Sequence, residues 1–328
     1  MNTSPGRVTA PVVAARKRRT SEPLVMVTAY DAPSAKIAHR AGADLILVGD
    51  SLAMVVLGYD DTLHVTVDDM AHHTAAVARG LRASEAVGVA NPRPLVVGDL
   101  PWMSYHTGTA DAVRSAAALV RAGADTVKLE GGRKRLPVIE AIIDAEIPVM
   151  GHIGLTPQSV NALGGFKVQG RQLESAKALV DDAKALAHAG CFAIVLEAVP
   201  DAVAAAITEA IDIPTIGIGA GPACDGQVLV WHDLLGLEDR LAPKFVRRYA
   251  DLGSLATAAV SSYCADVRSG SFPAKGESYA ASADLAGALQ SVTCPDRPAA
   301  RGVPQAPTVG SRAAAAEDQL LVGLYGGR

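Results

Sequence analysis

Eight short, nearly continuous apolar runs punctuate the chain: "LVMVTAY" (24–30), "ADLILVGD" (43–50), "PLVVGDL" (94–100), "ADTVKLEG" (124–131), "IPVMGHIGL" (147–155), "FAIVLEAV" (192–199), "IPTIGIGAG" (213–221) and "QVLVWHDLLG" (227–236). Between most of them lie Ala-rich segments with apolar positions at helical spacing, such as "APSAKIAHRAGA", "AVRSAAALVRAGA" and "SAKALVDDAKALAHAG". The runs read as strands and the spacers as helices. Several spacers close on "AGA" or "HAG", where glycine suits a helix C-terminus. Strands apolar on both faces need cover on both faces, which a parallel sheet flanked by helices provides. Eight such units predict an α/β fold closed into a (β/α)8 barrel rather than an open doubly wound sheet. The interval between the seventh and eighth runs is too short for a full helix.

Helical spacing continues through "DLGSLATAAVSSYCADVRSG" (251–270) and fades after about residue 280. The expected organisation is a basic N-terminal segment with a short leading helix (1–22), a barrel with its C-terminal helix (23–280), and a low-complexity tail (281–328). The tail, rich in Pro, Ala, Gly and Arg, is expected to be disordered, with "AAAAEDQLLVGLY" able to form a short helix. At 328 residues, 49% hydrophobic and 20% charged, the chain has room for one barrel of roughly 250 residues plus its tails. A net charge of −4 and 4% aromatic residues argue against nucleic acid or an anionic membrane as the main partner. No apolar run reaches the ~18 residues of a membrane span. The first 20 residues hold Arg7, Arg16, Lys17, Arg18 and Arg19, with no acid and no apolar secretion core. A solvated helix face or an organelle transit peptide accounts for them, and the first is preferred. Cys191, Cys224, Cys264 and Cys294 form no CxxC pair and no zinc-type spacing, and read as free thiols in a reducing compartment.

Chemistry enters at the strand ends, where a barrel carries its active site. In "ADTVKLEGG" (124–132), Thr126, Lys128 and Glu130 share one face of a strand while Val127 and Leu129 share the other. The neighbouring runs end likewise in polar groups: Asp50-Ser51, Asp99, His152 and Glu197, with Tyr30-Asp31 after the first. Any one of them alone reads as a helix cap or a loop residue. Together they predict carboxylates converging on one pocket, which repel unless neutralised. Lys128 supplies one positive charge, and a hard divalent cation such as Mg2+, which prefers oxygen ligands, supplies more. Asp50, Asp99 and Glu130 are the candidate metal ligands; a charge network that merely orders the barrel mouth is the structural alternative. A cation with open positions accepts the carboxylate and keto oxygen of a 2-oxo acid and makes the adjacent C–H acidic. Glu197, flanked by apolar "IVL" and "AVP", is the remaining carboxylate. Partial burial is expected to raise its pKa toward that of a general base. Lys128 is placed to pair with the substrate anion or the developing enolate.

The segment "VTAYDAPSAKIAHRAGADLILVGDSLAMVVLGYDDTLHVTVDDMAHHTAAVARG", together with "VKLEGG", "GHIGLTPQSVNALGGFKVQGR", "VLEAVP" and "IPTIGIGAGPACDGQVLVWHDLLGL", resembles the ketopantoate hydroxymethyltransferase (3-methyl-2-oxobutanoate hydroxymethyltransferase) family over about residues 8–279. The resemblance implies a (β/α)8 barrel of the phosphoenolpyruvate/pyruvate type. It also implies hydroxymethyl transfer from 5,10-methylenetetrahydrofolate to 3-methyl-2-oxobutanoate, giving 2-dehydropantoate and tetrahydrofolate in pantothenate biosynthesis. By motif it implies a magnesium site at Asp50, Asp99 and Glu130, oxo-acid contacts from Asp50, Ser51, Asp99 and Lys128, and Glu197 as proton acceptor. His152 is implied as a substrate-positioning residue. A cytoplasmic homodecamer is likewise implied. "GDSLAM" and "TLHVT" depart from the family pattern at Ala53 and His64, beside the loop after the second strand, which leaves closure of that loop open. The alternatives are another oxo-acid lyase or ligase of the isocitrate-lyase or phosphonopyruvate type, or a catalytically inactive assembly subunit. "GIGAG" (217–221) lacks the full dinucleotide-binding spacing. His72 and His73 are neighbours that do not share a helix face and read as ordinary helix residues. Cys191 reads as core.

Overall fold

The computed structural model describes residues 6–17, 22–238 and 243–285. Eight parallel strands close into a barrel in sequence order: β1 Leu24–Thr28, β2 Leu45–Val48, β3 Leu95–Asp99, β4 Thr126–Glu130, β5 Val149–Gly154, β6 Ala193–Glu197, β7 Thr215–Ile218 and β8 Gly226–Leu229. β8 pairs back onto β1 through Leu24 opposite Gly226 and Met26 opposite Val228, so no strand edge is left open. Side chains alternate as a two-residue period demands. Val27, Ile46, Val96, Val127, Leu129 and Ile194 face outward into one buried cluster shared with the helices. Met26, Leu45, Leu47, Val97, Met150 and Ile216 fill the barrel interior.

The helices begin and end where local chemistry stops and starts them. Asp31 caps Ala32–Arg40: its Oδ1 accepts from the Ser34 backbone N–H at 2.7 Å, and the Asp31 N–H donates to Ser34 Oγ. Asp31 is thus a helix cap. Thr66 and Asp69 form the same reciprocal cap on Val67–Ala86. Gly123 ends Thr109–Ala122 in the left-handed region at φ 115°, and a Cβ there would stand 2.5 Å from Ala78 Cβ.

The last strand is shorter than the sequence suggests. β8 stops at Leu229, and Trp231–Leu235 is a helix. Thr28 Oγ1 accepts from the Trp231 N–H at 2.8 Å and turns the chain there, and Gly236 ends the helix at φ 66°. β7 and β8 are joined by a helix-free loop, as the short interval requires.

The basic N-terminal run is also corrected. The leading helix is only Ala10–Ala14, and Arg16 and Lys17 are not on a solvated face. Arg16 pairs with Asp44, and Lys17 Nζ lies 2.9 Å from Oδ2 of fully buried Asp225. Arg7 pairs with Asp125. These acids immediately precede β2, β8 and β4. The N-terminal segment therefore fastens the bottom of the barrel, where barrel chemistry is about stability.

Helix Leu252–Ser269 has no buried residue, and by contact density the chain divides within it, after Val260. Cys191 and Cys224 are buried free thiols; Cys294, the disordered-tail expectation from 286 onward and the short "AAAAEDQLLVGLY" helix lie outside the described residues. No helix among the described residues is long and apolar enough to cross a membrane.

Candidate active site

One cavity of about 920 Å3 opens at the C-terminal ends of the strands, and it gathers every site residue named from the sequence: Asp50, Ser51, Asp99, Lys128, Glu130, His152 and Glu197 all line it. The strand register explains the convergence. Asp99 sits opposite Lys128 in the β3–β4 ladder, Glu130 opposite His152 in β4–β5, and Gly154 opposite Glu197 in β5–β6. The inward face of β4 accordingly carries both Lys128 and Glu130. Lys128 Nζ lies 2.8 Å from Asp99 Oδ1 and 3.3 Å from His152 Nδ1. His152 reaches Glu130 Oε1 at 3.5 Å and Glu197 Oε2 at 3.2 Å. Glu197 lies furthest toward solvent, its side chain 19% exposed. Ser51 Oγ is 2.9 Å from the hydroxyl of buried Tyr30.

Burial dominates the electrostatics. It pushes Asp99 up to about 7 against the pull of Lys128, with repulsion from Asp50 adding to the rise. It pushes Asp50 up to about 6, helped by Glu130 and opposed by Lys128. Burial works against the Lys128 ammonium, yet Asp99, Glu130 and Asp50 outweigh it and hold the lysine charged. Burial and Lys128 disfavour a charged His152, but hydrogen bonding to Glu130 and Glu197 wins and lifts it to about 9. Neutral, with its proton on Nε2, the imidazole accepts from Lys128 at Nδ1. Protonated, its Nδ1–H faces Glu130 instead.

The donor set suits a hard cation. In the inner cluster four carboxylates, Asp50, Asp99, Glu130 and Glu197, gather around the Lys128 ammonium, and the first three are buried; Asp201, Asp233, Glu238, Lys167 and Lys244 line other parts of the cavity. Asp99 Oδ1 is engaged by the Lys128 ammonium at 2.8 Å, and Glu130 Oε1 is buried with His152 Nδ1 as a long contact at 3.5 Å. Oxygens of this kind suit Mg2+, which typically takes one or two carboxylates and completes its shell with water and substrate oxygens. Among the described residues no three His, Cys, Asp or Glu side chains are close enough to enclose an ion by themselves.

Two residues that the sequence did not single out belong to the site. Gln158, in the turn Pro157–Ser159, is buried and hydrogen-bonds Asp50 and Glu130; Tyr105, after β3, hydrogen-bonds Gln158. "TPQS" was legible as a motif, but nothing in it tells which side chain turns inward. Of the two departures, Ala53 is fully buried, while His64 stacks on Tyr59 with ring centroids 4.8 Å apart and bonds Asp61. Met54, Val55 and Thr62 of the same loop line the cavity. His73 Nδ1 bonds the Tyr30 carbonyl oxygen at 2.7 Å.

A closed parallel barrel with a buried acid cluster and the buried Lys128 at its C-terminal mouth defines an enzyme of the (β/α)8 class. Solved structures with this fold include phosphonopyruvate hydrolase (12% identical, TM-score 0.52, covering 87% of this chain and 95% of that one). Another is 2,3-dimethylmalate lyase, a PEP mutase/isocitrate lyase superfamily member (15% identical, TM-score 0.50, covering 86% and 98%). The particular family follows from sequence: the ketopantoate hydroxymethyltransferase pattern matches residues 7–275, and the chain belongs to that family. It is 56% identical over 274 residues to the 3-methyl-2-oxobutanoate hydroxymethyltransferase of Moorella thermoacetica, covering 83% of this chain and 98% of the relative. It is likewise 56% identical over 253 residues to the enzyme of that name from Pyrobaculum aerophilum, covering 77% and 92%.

Proposed function

We propose that this chain transfers a hydroxymethyl group from 5,10-methylenetetrahydrofolate to 3-methyl-2-oxobutanoate, giving 2-dehydropantoate and tetrahydrofolate, with Mg2+ as cofactor. The observation that carries the reading is the convergence of Asp50, Asp99, Lys128, Glu130, His152 and Glu197 on one cavity. The relatives' names favour this transferase over an oxo-acid lyase of the same fold. Asp50, Asp99 and Glu130 would hold the cation, which when bound polarises the keto carbonyl and makes the neighbouring C–H more acidic.

The chain's own residues do the rest. Asp50, Ser51, Asp99 and Lys128 orient the oxo acid. Lys128 is held charged by the acids around it, so its ammonium balances the substrate carboxylate in a site that already carries excess negative charge. Glu197, at the outer side of the cluster, takes the proton from C3 of the oxo acid. His152 Nε2, 3.2 Å away, fixes the Glu197 carboxylate. The C3–CH2 bond replaces the C3–H bond. One water supplies the hydroxyl oxygen, and both nitrogens of the departing folate regain hydrogen. A 920 Å3 cavity lies near the top of the ~300–1,000 Å3 range for small-molecule sites, so the eight-atom oxo acid leaves room for the folate.

The test is purified protein with both substrates and Mg2+, monitoring 2-dehydropantoate. Product that requires all three supports the reading; no product, or product without Mg2+, removes it. A cytoplasmic decamer belongs to the same reading and is supported by the family alone. Mass photometry on the full chain checks the subunit count.

A further inference from the structure

We propose that Gln158 is the positioning residue of the acid cluster: it clasps Asp50 and Glu130 together and selects which of their oxygens face a cation. The inference rests on the reading above that these carboxylates hold a divalent cation. Gln158 does not line the cavity, so it acts through the residues it holds. Its backbone N–H donates to Glu130 Oε2 at 3.0 Å. Its side-chain Nε2 donates to Asp50 Oδ2 at 2.8 Å and to the Leu100 carbonyl oxygen at 2.9 Å. Its Oε1 accepts from the Tyr105 hydroxyl at 2.6 Å, and that hydroxyl accepts from the Glu130 N–H at 3.2 Å.

The orientation of the carboxamide is forced. Nε2 faces two oxygens that only accept, and Oε1 faces a hydroxyl that donates. A flipped amide would set oxygen against oxygen on one side and waste a donor on the other. One buried residue, through its side chain and its backbone N–H, thereby joins groups from the ends of β2, β3 and β4 to the turn after β5. The same geometry partitions the carboxylate oxygens. Gln158 engages Oδ2 of Asp50 and Oε2 of Glu130, and the Asp50 N–H donates to Oδ2 of Asp99 at 3.2 Å. Glu130 Oε1 is left buried with His152 Nδ1 3.5 Å away, while Asp99 Oδ1 is taken by Lys128 Nζ at 2.8 Å. Without the clasp, like charges would spread the two acids apart, and closing them again would fall to the cation. Groups that orient metal-ligating side chains typically change metal affinity or activity 10–100-fold when removed.

The test measures Mg2+-dependent binding of 3-methyl-2-oxobutanoate by calorimetry on the full chain, with thermal unfolding in parallel. In Gln158→Met the Mg2+ concentration for half-maximal oxo-acid binding is expected to rise about 10–100-fold, and excess Mg2+ should restore most of the turnover. Tyr105→Phe, which frees the Oε1 end of the amide and the Glu130 N–H but leaves both Nε2 bonds in place, should move the same quantity in the same direction by less. If Gln158→Met does not fold, Tyr105→Phe decides. A wild-type Mg2+ requirement in the folded variants, whatever their melting temperature, would overturn the proposal and leave the metal reading intact. No Mg2+-dependent oxo-acid binding in the wild type would remove both.

Discussion

At the bottom of the barrel Lys17 Nζ lies 2.9 Å from Asp225 Oδ2; at the mouth Lys128 Nζ lies 2.8 Å from Asp99 Oδ1. Both aspartates are buried, yet their surroundings differ. Asp225 Oδ2 also accepts from the Thr215 backbone N–H at 2.9 Å and its Oγ1 at 3.2 Å, while Lys17 donates to the Ile213 carbonyl oxygen at 3.0 Å. That pair is tied into the ends of the strands by bonds within the chain. At the mouth four further acidic or basic groups, Asp50, Glu130, His152 and Glu197, crowd the pair, and Glu130 Oε1 is buried with His152 Nδ1 no nearer than 3.5 Å. Buried charge is costly unless matched. The bottom matches it within the chain, whereas the mouth leaves part of it for something that binds. An ion pair alone therefore does not mark a site; crowded acids and an under-bonded oxygen beside it do.

The largest effect that would break this comparison is on turnover. Glu197→Gln keeps the shape of the mouth and removes the base. We expect turnover to fall by about 10²–10⁴-fold, oxo-acid affinity to stay within a few-fold, and the melting temperature not to drop. Steady-state kinetics, calorimetry and thermal unfolding check the three. Turnover near wild type would take Glu197 out of its role, and a large loss of stability would make the mouth a second fastening like the bottom.

Next comes stability. Lys17→Met leaves Asp225 buried beside its Thr215 donors and takes away the Lys17 ammonium, and removing one partner of a buried pair typically costs about 3–5 kcal/mol. We expect the lower end of that range, because Lys17 is 16% exposed and Asp225 keeps two donors. KM and kcat of the folded variant should be unchanged. A shift in KM would mean that the two ends of the barrel communicate.

What the sequence disclosed follows from what carries local information. The strands, the shared face of Lys128 and Glu130, and the placing of Asp50 and Asp99 at strand ends all derive from a two-residue period and a barrel's polarity. The eighth strand was read too long because "VLVWHDLL" is apolar throughout, and the hydrogen bond that turns it into a helix comes from Thr28, 203 residues earlier. Gln158 stayed hidden for the same reason: its partners Asp50 and Tyr105 are 108 and 53 residues away. Arg16 and Lys17 were misread because a basic run looks alike whether solvated or paired. Aspartates immediately before three strands were the available clue to their partners.

A smaller and opposite signature belongs to pH. Asp50 and Asp99 have folded-state pKa values of about 6 and 7, against 3.8 for the free group. The folded chain then binds more protons than the unfolded one between those values, so stability falls as pH rises from about 4 to 7. His152, raised from 6.5 to about 9, adds stability that is full below 6.5 and lost as pH rises through 9. We expect the melting temperature without Mg2+ to fall from pH 5 to pH 9, and Asp50→Asn to flatten the acid part of that slope. An Asp50→Asn slope equal to wild type would show that the mouth does not carry strained charge.

The smallest effect lies at the bottom, where the fastening becomes redundant. Arg7 pairs with Asp125 but is 51% exposed on its side chain. Asp125 keeps Arg93 Nη1 at 3.6 Å and the Val96 backbone N–H at 3.0 Å when Arg7 is gone. An exposed pair with a standby cation should contribute no more than about 0.5 kcal/mol, within the 0–1 kcal/mol usual for surface ion pairs. Arg7→Ala should therefore unfold close to wild type in urea, and raising salt should erase what difference remains. A loss approaching that of Lys17→Met would mean that the ring of aspartates before β2, β4 and β8 acts as one coupled unit. The double variant Arg7→Ala with Lys17→Met measures this directly, because independent pairs give additive losses and a coupled ring does not.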